Sequence, residues 1–137
     1  MAVLIDTSLL IDRERSGRLA NRLSHEDVAI SVITVSELLQ CVERASGDQR
    51  IRRQAVVEQI LSAFEPIPIT TAVARVHAGI WADLATRGRM IGAHDLWIAA
   101  TAVAHGFSVA TLNRDEFGRV PGLRIVDALD EAGPGNS

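Results

Sequence analysis

Four acidic residues stand where one divalent cation could be shared among them: Asp6, Glu37, Asp95 and Asp115. Asp6 ends the apolar run Val3-Leu4-Ile5, Glu37 lies near the start of a predicted helix, Asp95 opens a long apolar segment, and Asp115 sits in a polar turn after another short apolar run. In open α/β sheets, groups at the carboxyl ends of strands gather along one edge. Carboxylates collected there at about 6 Å repel by roughly 3 kcal/mol per pair at an effective dielectric near ~20. A cation offsets that repulsion. With no Cys or His cluster to compete, all-oxygen ligation suits Mg²⁺ or Mn²⁺. Each acid also has an ordinary structural use: Asp6 as a helix cap, Glu37 in a Thr34-Val35-Ser36-Glu37 capping box, Asp95 as complement to a helix dipole, Asp115 as a turn residue. It is their conjunction that argues for a metal.

The elements that position these acids follow from apolar patterning. Residues 95–104 are almost wholly apolar and free of Pro and Gly, which predicts a helix buried on most sides and stopped by Gly106. Residues 2–5, 28–33, 107–111 and 123–126 read as strands, and residues 64–69 as a further strand whose prolines place it at a sheet edge. Helices are expected over residues 9–23 with a break near Ser16-Gly17, from Thr34 through Val42, over 49–63 with Ile51, Ala55, Ile60 and Leu61 inward, and over 70–86 with Val73, Val76, Ile80 and Leu84 inward. Strands alternating with helices imply a mostly parallel sheet covered on both faces, a three-layer α/β domain spanning residues 1–130. Residues 131–137 read as a frayed, flexible tail.

Composition sets limits. A chain of 137 residues with 47% hydrophobic content can bury a core of its own, and no apolar run reaches the roughly 18 residues of a membrane span. Met1-Ala2-Val3-Leu4-Ile5-Asp6 lacks a basic region and meets a carboxylate early, so it does not read as a secretory signal, and a cytoplasmic setting is expected. The lone Cys41 lies in a helical pattern and reads as a small core residue. A net charge of −3 argues against nucleic-acid binding by bulk charge, though not against a local basic face. All 14 basic residues are arginine, so lysine-dependent chemistry is excluded.

Val3-Leu4-Ile5-Asp6-Thr7-Ser8, Val35-Ser36-Glu37-Leu38, Asp95-Leu96-Trp97-Ile98-Ala99-Ala100-Thr101-Ala102 and Thr111-Leu112-Asn113-Arg114-Asp115-Glu116-Phe117, in that order, resemble the PIN domain. More narrowly they resemble the VapC ribonuclease toxins of bacterial toxin–antitoxin pairs, over residues 3–126. The resemblance implies a metal-dependent endoribonuclease that cuts structured RNA such as tRNA or rRNA, forms a homodimer and is neutralised by a cognate VapB-like antitoxin. It carries Asp6, Glu37 and Asp95 over as metal-holding acids, with Thr7 and Ser8 supporting Asp6 and with Thr111 and Asn113 supporting the fourth position. The family often has an acid where this chain has Asn113; either Asp115, redirected inward by a small shift of its loop, takes that place, which is the favoured expectation, or Asn113 binds the ion through water.

The chemistry implied is metal-assisted phosphodiester hydrolysis, with one ion or with two about 3.5–4 Å apart. It needs no histidine base, and among His25, His77, His94 and His105 only His94 adjoins a candidate acid. Arg87 and Arg89, in the loop before the central helix, are candidate RNA contacts; Arg50, Arg52 and Arg53 read first as a solvated face. Trp81 and Trp97 read as core or dimer-contact residues rather than base-stacking platforms. Receiver domains and haloacid-dehalogenase phosphatases also cluster acids in α/β folds, but both rely on a lysine that this chain lacks. The remaining rival is a PIN-like module that binds RNA or protein without cutting, its fourth position having lapsed.

Overall fold

A computed structural model of the chain describes residues 2–11 and 27–126. Four short parallel strands, β1 (Val3–Ile5), β2 (Val28–Ala29), β3 (Ser108–Ala110) and β4 (Ile125–Val126), pair in the order β2-β1-β3-β4. The described helices are α1 (Thr7–Ile11), α2 (Val32–Glu43), α3 (Gly47–Ala63), α4 (Thr71–Arg87), α5 (Ala93–His105) and α6 (Arg114–Phe117). Side chains alternate across each strand. Leu4 and Val109 therefore pack with Val73, Ile80, Leu84 and Ile98 of α4 and α5. Val3, Ile5 and Ala110 pack on the other face with Leu9 and Ile30, and with Val35 and Ile60 of α2 and α3. The expected three-layer α/β arrangement with a parallel sheet is the one observed.

α5 is the best-buried helix. Leu96, Ile98, Ala99, Ala100, Thr101 and Ala102 are all inaccessible or nearly so. Its end is set by Gly106 at φ 72°, a left-handed conformation that costs a residue with a Cβ far more than glycine. α4 likewise follows the spacing read from the sequence, burying Val73, Ile80 and Leu84.

The start of α2 differs from expectation, and the difference bears on Glu37. Residues 28–33 do not form one strand: pairing stops after Ala29, Ser31 makes a single bridge to Ile67, and the helix begins at Val32. The Ser31 hydroxyl accepts the Ile33 N–H at 3.0 Å, so Ser31 is the cap and the Thr34–Glu37 capping box does not form. β-branched Val32, Ile33 and Val35 favour strand, but the cap and the burial of Thr34, Leu38 and Val42 on one helical face override them. Glu37 consequently projects from the second turn. Ser31→Ala is expected to lower stability by about 1 kcal/mol, read as a fall of about 3–5 °C in Tm.

The other departures are smaller. In α3, Ile51 is 68% exposed and Ala55 is also exposed, because the inward face is set by contact with Leu38 and Val42 of α2 and runs through Val57, Ile60 and Leu61. Residues 64–69 meet the sheet at its edge only through Ile67, whose N–H donates to Ile30 and whose carbonyl accepts from Val32. Pro66 and Pro68 flank it and have no N–H to extend the ladder. Residues 113–115, expected as a turn, instead begin the short helix α6, with Asn113 as its N-cap. The helix expected over residues 9–23 is described only as far as Ile11, and the tail at 131–137 lies outside the described residues.

Candidate functional site

Asp6 follows the last residue of β1 and is 3% exposed. Its backbone N–H donates to Ala110 of the neighbouring strand, which fixes it at the carboxyl edge of the sheet. Its Oδ2 accepts two hydroxyl hydrogen bonds, from Thr111 at 2.7 Å and Ser8 at 2.8 Å. Both hydroxyls also accept a backbone N–H, Thr111 from Asn113 and Ser8 from Leu112. With lone pairs so engaged, each hydroxyl proton is aimed at Asp6. One carboxylate oxygen is saturated, and Oδ1 has no hydrogen-bond partner among the described residues.

Glu37 reaches the same edge from α2. Thr7, at the start of α1, donates to Oε1 at 2.5 Å, and the His94 ring Nδ1 lies 3.2 Å from Oε2. Thr7 is itself steadied by buried Thr34 at 3.2 Å. Asp95 arrives on the first turn of α5, and Asn113 Nδ2 donates to its Oδ2 at 2.9 Å. Asp6, Glu37, Asp95 and Asn113 line one cleft of about 270 Å³ together with Thr7, Ser8 and Arg44.

The electrostatics of this cleft are unbalanced. Burial, then the nearby Asp6 charge, push the Asp95 carboxyl up to about 6; the Asn113 hydrogen bond opposes this, and Glu116 and Glu37 add to the rise. Half-buried acids held together in this way are what a hard divalent cation would relieve. The donor set is entirely oxygen, the ligand chemistry that suits Mg²⁺ or Mn²⁺. As they stand, no three His, Cys, Asp or Glu side chains among the described residues are grouped closely enough to hold an ion, and both oxygens of Glu37 are engaged by neighbours.

The fourth corner is not where it was expected. Asp115 is 81% exposed in its side chain and pairs with Arg119 at 2.9 Å, away from the cleft. The acid beside Asn113 is Glu116, which does not line the cleft itself: Asn113 Nδ2 donates to its Oε2 at 2.6 Å and the Gly92 N–H to its Oε1 at 2.8 Å. Those two bonds hold its carboxyl below the usual range. Asn113 thus bridges two carboxylates with one amide. Glu116 went unread in the sequence, although Asn113-Arg114-Asp115-Glu116 carries the polar-x-x-Glu spacing of a helix start, which places the first and fourth residues together. Of the arginines singled out as RNA contacts, Arg87 is held by Asp83 at 2.6 Å and by the Arg119 carbonyl at 2.8 Å, and Arg89 is exposed. Neither lines the cleft. Trp97 stacks on His77 with ring centroids 3.6 Å apart, as a packing residue does, whereas Trp81 is 52% exposed.

Residues 3–123 match the family model for the PIN domain. Ribonuclease VapC1 of Rickettsia felis is 38% identical over 128 residues, an alignment covering 92% of this chain and 96% of that protein. The chain belongs to the PIN-domain family of VapC ribonucleases. A second VapC relative, the tRNA(fMet)-specific endonuclease VapC of Salmonella typhimurium, is 39% identical over 106 residues, covering 77% of this chain and 78% of its own length. Among solved structures, DNA-bound VapBC from Salmonella typhimurium superimposes with a TM-score of 0.81 at 32% identity, over 93% of this chain and 98% of the other. No helix among the described residues is long and apolar enough to cross a membrane.

Proposed function

We propose that the chain is an Mg²⁺- or Mn²⁺-dependent endoribonuclease toxin that cuts structured RNA and is neutralised by a cognate VapB-like antitoxin. The observation that carries this reading is the under-neutralised carboxylate cluster, in which Asp95 is pushed up to about 6 by burial and by the neighbouring acids. A bound divalent ion supplies a water of lowered pKa and neutralises charge on the leaving oxygen. The chain's own groups do the rest. Asp6, Asp95 and Glu116 would hold the ion, with Glu37 joining once its bond to His94 opens; Thr111 and Ser8 fix the Asp6 carboxylate through its Oδ2 and leave Oδ1 to the ion. Asn113 donates to both Asp95 and Glu116 and so offsets part of their mutual repulsion. The reading of a lapsed module rested on a missing fourth acid, and Glu116 supplies a charge at that corner, which favours cutting. Structured RNA is favoured by the tRNA(fMet)-specific relative, and an antitoxin partner by the related VapBC assembly.

Purified protein is expected to cleave tRNA or rRNA with Mn²⁺ or Mg²⁺ and to lose that activity in EDTA, with recovery on readdition. Cleavage that persists unchanged in EDTA would overturn the metal role. The protein is expected to act in the cytoplasm as a homodimer built on exposed apolar helix faces, where Trp81 of α4 is a candidate at 52% exposure. A monomer by light scattering at micromolar concentration would count against the dimer. Pull-down from the native host is expected to recover the small protein encoded beside it.

A further inference from the structure

The carboxylate cleft does not end at its acids. Arg44, the residue that closes α2, lines its outer wall beside Gln40 and Cys41. A second depression of about 400 Å³ shares Ile11 and Cys41 with the first, and Arg52 and Arg53 line it together with apolar side chains such as Leu38 and Val57. Four arginines therefore cluster where α2 hands over to α3, and their side chains are not equivalent. Arg50 pairs with Glu43 at 3.4 Å, and Arg53 donates to the Cys41 carbonyl at 3.0 Å. Arg44 and Arg52 make no side-chain hydrogen bond or ion pair among the described residues, although Arg44 shares a cleft with Asp6, Glu37 and Asp95.

We propose that Arg44 and Arg52 form the phosphate track of the RNA substrate, gripping the backbone on the side that leads away from the acids over α2 and α3. The proposal rests on the ribonuclease reading above and adds to it the path of the strand. A phosphodiester brought to a cluster of carboxylates is repelled by them, so the strand needs cationic contacts just outside the cluster. Guanidinium groups meet phosphate oxygens in a fork geometry, and only those not already spent on protein partners are free to do so. Arg50 and Arg53 are spent, and so is Arg87. In a chain of net charge −3, a local pair of this kind must do what bulk charge cannot.

The test is fluorescence anisotropy of a labelled RNA hairpin in EDTA, where a metal-dependent enzyme binds without cutting. Wild type, R44A/R52A, R44K/R52K and R75A are compared from 50 to 300 mM salt. Arg75 is exposed on α4 and lines neither depression, so it controls for simple loss of charge. The expected result is about a tenfold or greater loss of affinity in R44A/R52A. The slope of log affinity against log salt should shrink by about 1.4–1.8, with partial recovery in the lysine variant. Affinity and salt slope in R44A/R52A matching those of R75A overturn the proposal, as does loss of antitoxin binding with RNA binding intact. Wild-type protein that binds the hairpin but cuts no RNA with Mn²⁺ leaves this binding result standing and strikes the ribonuclease reading instead.

Discussion

Asp95→Asn is expected to abolish RNA cleavage and, in the same protein, to stabilise the metal-free fold at neutral pH. Cleavage should fall by more than ~100-fold, since the charge that would hold the ion and its water is gone. Stability should move the other way. The Asp95 carboxyl titrates near 6 in the folded chain, above its ordinary value of 3.8, because of burial first and the Asp6 charge second. A carboxyl whose folded pKa is raised binds its proton more tightly in the native state, so its penalty is absent at low pH and develops as the pH climbs through the interval between those two values. Asparagine never acquires the charge and can still accept the Asn113 hydrogen bond. The Tm gap between variant and wild type in EDTA should therefore open from about pH 4, level off above about pH 6, and reach a few degrees. Mn²⁺ should raise the Tm of wild type and leave the variant almost unmoved. A variant that cuts RNA at near wild-type rate, or that is less stable than wild type at pH 7 in EDTA, removes Asp95 from the centre of the site.

Asn113→Asp is expected to make the metal-free protein worse and the metal-bound one better. The amide now donates to Asp95 at 2.9 Å and to Glu116 at 2.6 Å. A carboxylate can donate to neither, and it adds a third negative charge between two others. Hydrogen bonds to charged groups are each worth about 1.5–3 kcal/mol, and partial exposure here discounts that toward the lower end. Tm in EDTA should fall by on the order of 5–10 °C. Mn²⁺ affinity should rise, because hard ions favour a full charge over an amide dipole. Asp115→Ala should do neither: its carboxylate is 81% exposed and pairs only with Arg119 at the surface, a contact worth about 0–1 kcal/mol. Titrating Mn²⁺ into both variants and following Tm decides the matter. A loss of Mn²⁺ affinity in Asp115→Ala larger than the change in Asn113→Asp would return Asp115 to the site.

What could be read in advance divides along physical lines. α4 and α5 were legible because long helices repeat their apolar spacing many times, and because Gly88 and Gly106 mark their ends with left-handed backbone. Asp6 and Asp95 were legible because an acid beside an apolar run has few ordinary explanations. The start of α2 was not legible, since Val32 and Ile33 favour strand locally and it is the Ser31 cap and the burial of Thr34 and Leu38 that settle the outcome. Glu37 was found, but with the wrong cap assigned to it. Glu116 was missed for a related reason. Asp115 and Glu116 are adjacent, and which of them turns inward depends on whether residues 114–117 form a turn or a helix. With the helix in place, Glu116 stands three residues from Asn113 and Asp115 turns outward to Arg119. A four-residue helix leaves too little periodicity to be recognised beforehand.

Beyond β2, the parallel sheet is met among the described residues only by Ile67, between two prolines. An open strand edge invites another chain to add itself by backbone pairing, the route to runaway sheet extension. Here the outermost segment cannot serve as a template, because Pro66 and Pro68 interrupt its row of amide donors. On that side of the sheet the two prolines turn self-association away from a ladder with no natural end and toward the side chains of the helices, where contact surfaces are finite.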